Sequence, residues 1–135
     1  MYEVVCCVDT AGEAVSDQVE AIAGLPHAAE EIHVTVLHVF GDNPAGASAT
    51  QVSSVRQAVD RLEAASIGTD VAEESGDPAL TIRRTAERMD ADLVCVGGRR
   101  RSPAGKALFG SVSQAVILGT DRPVLVSSPA DGDEE

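Results

Sequence analysis

The chain has 135 residues and 44% hydrophobic content, with one Tyr, two Phe and no Trp, which suits one domain with an aliphatic core. Its formal charge of −12, from 22 acids against 10 bases, disfavours nonspecific nucleic-acid binding. No run of about 18 apolar residues is present to cross a membrane, and the N-terminus carries no signal-peptide pattern, so a cytoplasmic location is expected.

Tyr2–Val8 is apolar and rich in β-branched residues and predicts a first strand, followed by a turn at Asp9-Thr10-Ala11-Gly12. Glu13–Leu25 places Val15, Val19 and Ile22 at helical spacing and stops at Pro26. Ile32–Phe40 predicts the second strand, and Gly41–Ser48 a loop of Gly, Asp, Asn, Pro and Ala. Thr50–Ser66 reads as an amphipathic helix with Val52, Val55, Val59 and Leu62 inward and Arg56, Asp60 and Arg61 outward.

Thr69–Glu74 is a short polar strand suited to a sheet edge. Asp77 as N-cap and Pro78 at the first helical position start the next helix, which turns Ala79, Ile82, Ala86 and Met89 to one side. Ala91–Val96 is apolar throughout and predicts a fourth strand buried on both faces. A glycine- and cation-rich loop follows, then a helix from Gly110 to Leu118 and a fifth strand, Pro123–Ser127. The acidic tail 129–135 is expected to stand outside a domain of residues 1–128.

This alternation predicts an α/β fold: a single doubly wound, five-stranded parallel sheet, Rossmann-like, with helices on both faces. Ligands on such sheets bind beyond the C-terminal strand ends, where strand order reverses. If the first and fourth strands are neighbours, Asp9-Thr10 and Gly97-Gly98 line one crevice.

Arg99, Arg100, Arg101 and Lys106 crowd into eight residues of an otherwise acidic chain, between a strand and a helix opening on Gly110-Ser111. Backbone N–H groups and the positive helix end would converge there on an anion. Without the four acids of the tail, 18 acids remain against 10 bases, only one of them Lys. An acidic, Lys-poor surface suits concentrated salt, where about 1 M electrolyte shortens the Debye length to roughly 3 Å.

The remaining chemistry is sparse. Cys6, Cys7 and Cys95 read as core thiols, with no metal-ligand or redox spacing. His27, His33 and His38 form no ligand pair, and His38 is expected near the core or the site rim. The Walker A pattern fails because Gly98 to Gly105 encloses six residues and Ala107 follows Lys106. No dinucleotide signature follows the first strand, and no nucleophile or general base stands out.

Gly97-x2-Arg100-x9-Gly110-Ser111 resembles the nucleotide loop of the universal stress protein family, Gly-x2-Gly-x9-Gly-Ser/Thr. The resemblance extends over nearly the whole chain, through Asp9, Val36-Leu37-His38-Val39, Gly76-Asp77-Pro78 and Arg122-Pro123-Val124-Leu125-Val126. It implies an adenine nucleotide alpha hydrolase-like fold, a stress-response role and ATP or AMP as ligand. It also implies site residues: Val8 and Asp9 for adenine and ribose, Val34 lining the adenine pocket, and Val96 and Gly97 at the fourth strand's end. Gly110, Ser111 and Val112 would cradle phosphates, with Ser113 close by.

Arg100 departs from that pattern, because arginine lacks the backbone freedom and small size for which glycine is used there. Either its side chain fills the phosphate site or its guanidinium contacts phosphate. The expectation is a non-catalytic module with a nucleotide or phosphate site whose ATP binding Arg100 weakens or alters. Two alternatives stay open: a slow ATPase or nucleotide hydrolase, and a dimeric interaction protein with a lapsed site. A homodimer is expected through the fifth strand, whose edge could pair across a two-fold axis. No metal motif is present.

Overall fold

A computed structural model of the chain describes residues 1–9, 12, 14–41, 52–99 and 108–127. The elements are β1 (Tyr2–Cys7), α1 (Val15–Ala23), α2 (Ala28–Glu31), β2 (Ile32–Phe40), α3 (Ser53–Ala64) and β3 (Gly68–Ser75). They continue with α4 (Pro78–Arg88), β4 (Leu93–Arg99), β5 (Leu108–Phe109), α5 (Ser111–Gly119) and β6 (Val124–Ser127). Thr10, Arg100, Arg101, Lys106, nearly all of the loop after β2 and the tail 129–135 lie outside the described residues.

Five strands pair in parallel in the order β3-β2-β1-β4-β6, and β5 adds two residues antiparallel to the end of β4. The chain builds outward from β1 to β2 and β3, then returns to the other side of β1 for β4 and β6. Strand order therefore reverses between β1 and β4, as the crevice argument requires. β3 is an edge strand, matching its polar sequence.

Side-chain alternation along the strands divides the core into two layers. Val4, Cys6, Ile32, Val34, Val36, Leu93 and Cys95 pack under α1 and α3 against Val15, Val19, Ile22, Val55, Ala58 and Leu62. Val5, Leu37, Val94 and Val96 pack on the other face against Ile82, Ala86 and Val116 of α4 and α5. Every one of these is an aliphatic side chain or a thiol.

Local chemistry explains the element ends. The Asp77 carboxylate accepts from the Leu80 N–H at 3.0 Å and Pro78 opens α4, as expected. Asp90 takes the left-handed conformation (φ 52°) after α4, and the Ala91 N–H still reaches back to the Ala86 carbonyl at 2.9 Å. The fourth strand accordingly starts at Leu93 rather than Ala91. It also runs on through Gly97-Gly98-Arg99, read from the sequence as loop, because Gly98 and Arg99 pair with β5. The short helix α2 and the strand β5 had no sequence signal.

Candidate functional site

At the C-terminal ends of β1 and β4 lies a cleft of about 510 Å³. β1 contributes Val8 and Asp9 beyond its last residue, β2 contributes His38, Val39 and Phe40, and β4 contributes Val96, Gly97 and Gly98. The N-terminal turns of α4 and α5 close it, through Pro78 and Ile82 and through Gly110 to Ser113. Residues from both halves of the sequence thus meet at the point where strand order reverses.

Of the residues expected at the site, Val8, Asp9, Val96, Gly97, Gly110, Ser111, Val112 and Ser113 all line this cleft. Val34 does not. It is fully buried between the sheet and the α1–α3 layer, near the start of β2, whereas the cleft lies at the strand's other end. The β2 valine that reaches the cleft is Val39. Arg100 lies outside the described residues.

Polar contacts hold the rim in place. The Asp9 carboxylate accepts from the Gly12 N–H at 3.0 Å, closing the turn after β1 where Gly12 adopts φ 70°. The Ser54 hydroxyl of α3 donates to the Asp9 carbonyl. His38 is buried, its Nδ1 donates to the Val8 carbonyl at 2.7 Å, and its ring meets Phe40 edge-on at 4.6 Å between centroids. Gln18, also buried, donates from Nε2 to the Cys7 carbonyl at 2.8 Å. The Ser113 hydroxyl donates to the Gly97 carbonyl at 2.8 Å.

The α5 N-terminus opens on this cleft with Gly110 as its cap residue, which brings no side chain to the first-turn N–H groups. Those donors and the positive helix end suit an anion. Asp9 carries the one formal charge among the described residues that line the cleft. Val39, Phe40 and Gln18 are missed by the sequence reading as site residues, though their place at the C-terminal end of β2 and on the inner face of α1 is the available signal. His38, expected near the core or the site rim, is buried and lines the cleft.

A second hollow of about 500 Å³ lies where Arg83, Arg84 and Glu87 of α4 meet Gly119 and the residues up to Arg122. Arg83 donates to the Gly119 carbonyl at 3.2 Å and Arg122 to the Asp90 carboxylate at 2.8 Å. Arg83 thus caps the carbonyl at the end of α5, and this hollow shares no lining residue with the cleft at the strands' C-terminal ends.

Among the described residues no cluster of three or more His, Cys, Asp or Glu is placed to hold a metal. No described helix is long and apolar enough to cross a membrane.

Comparisons with known proteins bear on this architecture. The model of the universal stress protein family matches residues 1–128. The stress response protein NhaX of Bacillus subtilis is 41% identical over 51 residues, 38% of this chain and 31% of that protein. A universal stress protein of Mycolicibacterium smegmatis is 36% identical over 63 residues, 47% of this chain and 43% of that protein. The matches thus span less than half the length of these relatives.

Among solved structures, a universal stress protein from Archaeoglobus fulgidus superposes with TM-score 0.73 at 23% identity, over 94% of this chain and 98% of that one. A universal stress protein in complex with cAMP gives 0.71 at 22% identity, over 96% and 98%. The Archaeoglobus fulgidus protein in complex with dAMP gives 0.69 at 19% identity, over 94% and 98%. At these identities the structures speak for the fold, and the match along residues 1–128 speaks for kinship: the chain belongs to the universal stress protein family.

Proposed function

We propose that this protein is a non-catalytic stress-response module that binds an adenine nucleotide, ATP or AMP, in the cleft at the ends of β1 and β4. The observation that carries the reading is the convergence of Val8-Asp9, Gly97-Gly98 and the α5 N-terminus, opened by Gly110, on one cavity of about 510 Å³. Its size suits a small organic ligand, since such sites run to roughly 300–1,000 Å³. Solved relatives of the same fold hold cAMP and dAMP. The base and ribose would sit by Val8, Asp9 and Val39, and the phosphates by Gly97 and Gly110 to Ser113.

Arg100, standing where the family motif has its second glycine, weakens or alters triphosphate binding in this reading. Residues 1–128 form the working domain, with 129–135 as an acidic appendage, in a cytoplasmic homodimer joined through β6. The acidic surface suits concentrated salt, and neither nucleic acid nor membrane is among its partners.

Calorimetric titration with ATP, AMP and inorganic phosphate at high salt tests the reading. ATP or AMP should bind, Asp9→Ala should weaken both, and Arg100→Gly should strengthen ATP. Absence of heat for every nucleotide and for phosphate overturns it. Phosphate release from ATP that is lost in Ser111→Ala would make the protein an enzyme instead.

A further inference from the structure

The ends of parallel strands present backbone carbonyls that have run out of ladder partners, and each must be accounted for. At this cleft the accounting is done by side chains. The carbonyls of Cys7, Val8 and Asp9 are consecutive, and each is taken by a donor from a different element: Gln18 of α1, His38 of β2 and Ser54 of α3. Across the reversal point the Gly97 carbonyl is taken by Ser113 of α5. The contacts to Cys7, Val8 and Gly97 measure 2.8, 2.7 and 2.8 Å.

We propose that these four donors set the cleft's tolerance for anions, by occupying carbonyl lone pairs that would otherwise face a negatively charged ligand. The proposal rests on the nucleotide reading and assigns a task that reading does not contain. The described rim carries a formal negative charge at Asp9. A phosphate brought beside four bare carbonyls and a carboxylate would be repelled, and more strongly in a partly dehydrated cleft than in water. A hydroxyl, amide or imidazole N–H spent on each carbonyl engages one of its two lone pairs and offsets part of that oxygen's field. Among the described residues it leaves the first-turn N–H groups of α5 to meet the anion. Ser113 stands in that first turn, so its hydroxyl acts on the ligand through Gly97. These are positioning residues.

His38 has one nitrogen committed. A carbonyl only accepts, so Nδ1 carries the proton in the bond to Val8. An asparagine at 38 places an amide N–H at the position corresponding to Nδ1 and so keeps the bond. A phenylalanine keeps the ring and loses it.

The test compares calorimetric affinities for ATP and for adenosine, which share the base and sugar and differ in charge. In Ser113→Ala the ATP affinity should fall roughly tenfold, the order of one charge-coupled hydrogen bond, with adenosine nearly unchanged. Ser113→Thr, which keeps the hydroxyl, should restore the parent ratio. His38→Phe should lower the same ratio, and His38→Asn should return it. If His38→Phe does not fold, the Ser113 pair decides alone.

Equal losses for ATP and adenosine would mean that the contacts only hold the fold, and would overturn the inference, as would an unchanged ratio in Ser113→Ala. Both outcomes leave the nucleotide reading standing. A parent protein that binds neither compound removes that reading and this inference together.

Discussion

Gly97 lies so close to Ala14 that a β-carbon built on the glycine would overlap the Ala14 Cβ. The motif's first glycine is therefore demanded by the packing of the α1 start on β4, whether or not a phosphate binds. Gly97→Ala should cost about 1–3 kcal/mol, the usual range for forcing a methyl into a packed interior, as read by urea denaturation. Ala14 is the N-cap residue of α1, where glycine is well tolerated, so Ala14→Gly alone should cost little. The double variant should recover most of the loss; one no more stable than Gly97→Ala would refute the contact as the cause.

His33 bridges three strands, with Nδ1 2.7 Å from Glu3 of β1 and Nε2 2.8 Å from Asp70 of β3. The hydrogen bond to Glu3, followed by that to Asp70, raises its pKa above the ordinary 6.5 despite partial burial. The folded form thus holds the proton more tightly than the unfolded chain. The resulting stabilisation is complete below about pH 6.5 and is lost as pH climbs through the raised value. Unfolding free energies measured across that interval should fall for the parent and fall less steeply for His33→Gln. Identical slopes in the two proteins would show that the bridge stores nothing.

Much of this architecture was legible because local and global signals agree. Ile32–Phe40 is largely apolar and rich in β-branched residues over the full observed length of β2, and Asp77-Pro78 starts α4 by simple donor satisfaction. Failures came where tertiary contacts decide. Nothing in Ala28–Glu31 distinguishes a helical turn from a loop, and its N-cap, His27, sits at a left-handed φ of 58°. Val34 was placed at the site by family resemblance, against the rule that ligands bind at C-terminal strand ends; that rule points to Val39. The sequence places His38 near the core or the site rim, but the donor roles of Gln18, His38 and Ser54 are not legible there, because a carbonyl's need for a partner appears only once the strands are aligned.

Cys6 and Cys95 are register partners on β1 and β4 and share the layer under α1 and α3, both fully buried. A hydrogen bond with Cys95, together with burial, pushes the Cys6 thiol well above its ordinary range. Burial pushes Cys7 up as well. Thiolate is the reactive form, so native protein should label slowly with a disulfide reagent, and all three thiols should react rapidly once unfolded in denaturant. Fast stoichiometric labelling of Cys6 or Cys95 without denaturant would contradict this packing.

For the proposed homodimer, backbone parity on β6 makes the expectation specific. The Val94 N–H donates to the Pro123 carbonyl at 3.0 Å, so Pro123 and, two residues on, Leu125 turn their backbone groups toward β4. Val124 and Val126 then turn theirs to the side on which no strand pairs among the described residues. A proline is tolerated where the N–H it removes faces an open edge, and is damaging where that N–H serves the ladder. Val126→Pro should therefore leave the unfolding midpoint near that of the parent while weakening self-association at least about tenfold, or ~1.4 kcal/mol, in sedimentation equilibrium. Leu125→Pro should lower the midpoint, because it takes a bond from β4. A parent protein that sediments as a monomer at all concentrations removes the dimer altogether. A Val126→Pro variant with the parent's dissociation constant moves the interface away from β6.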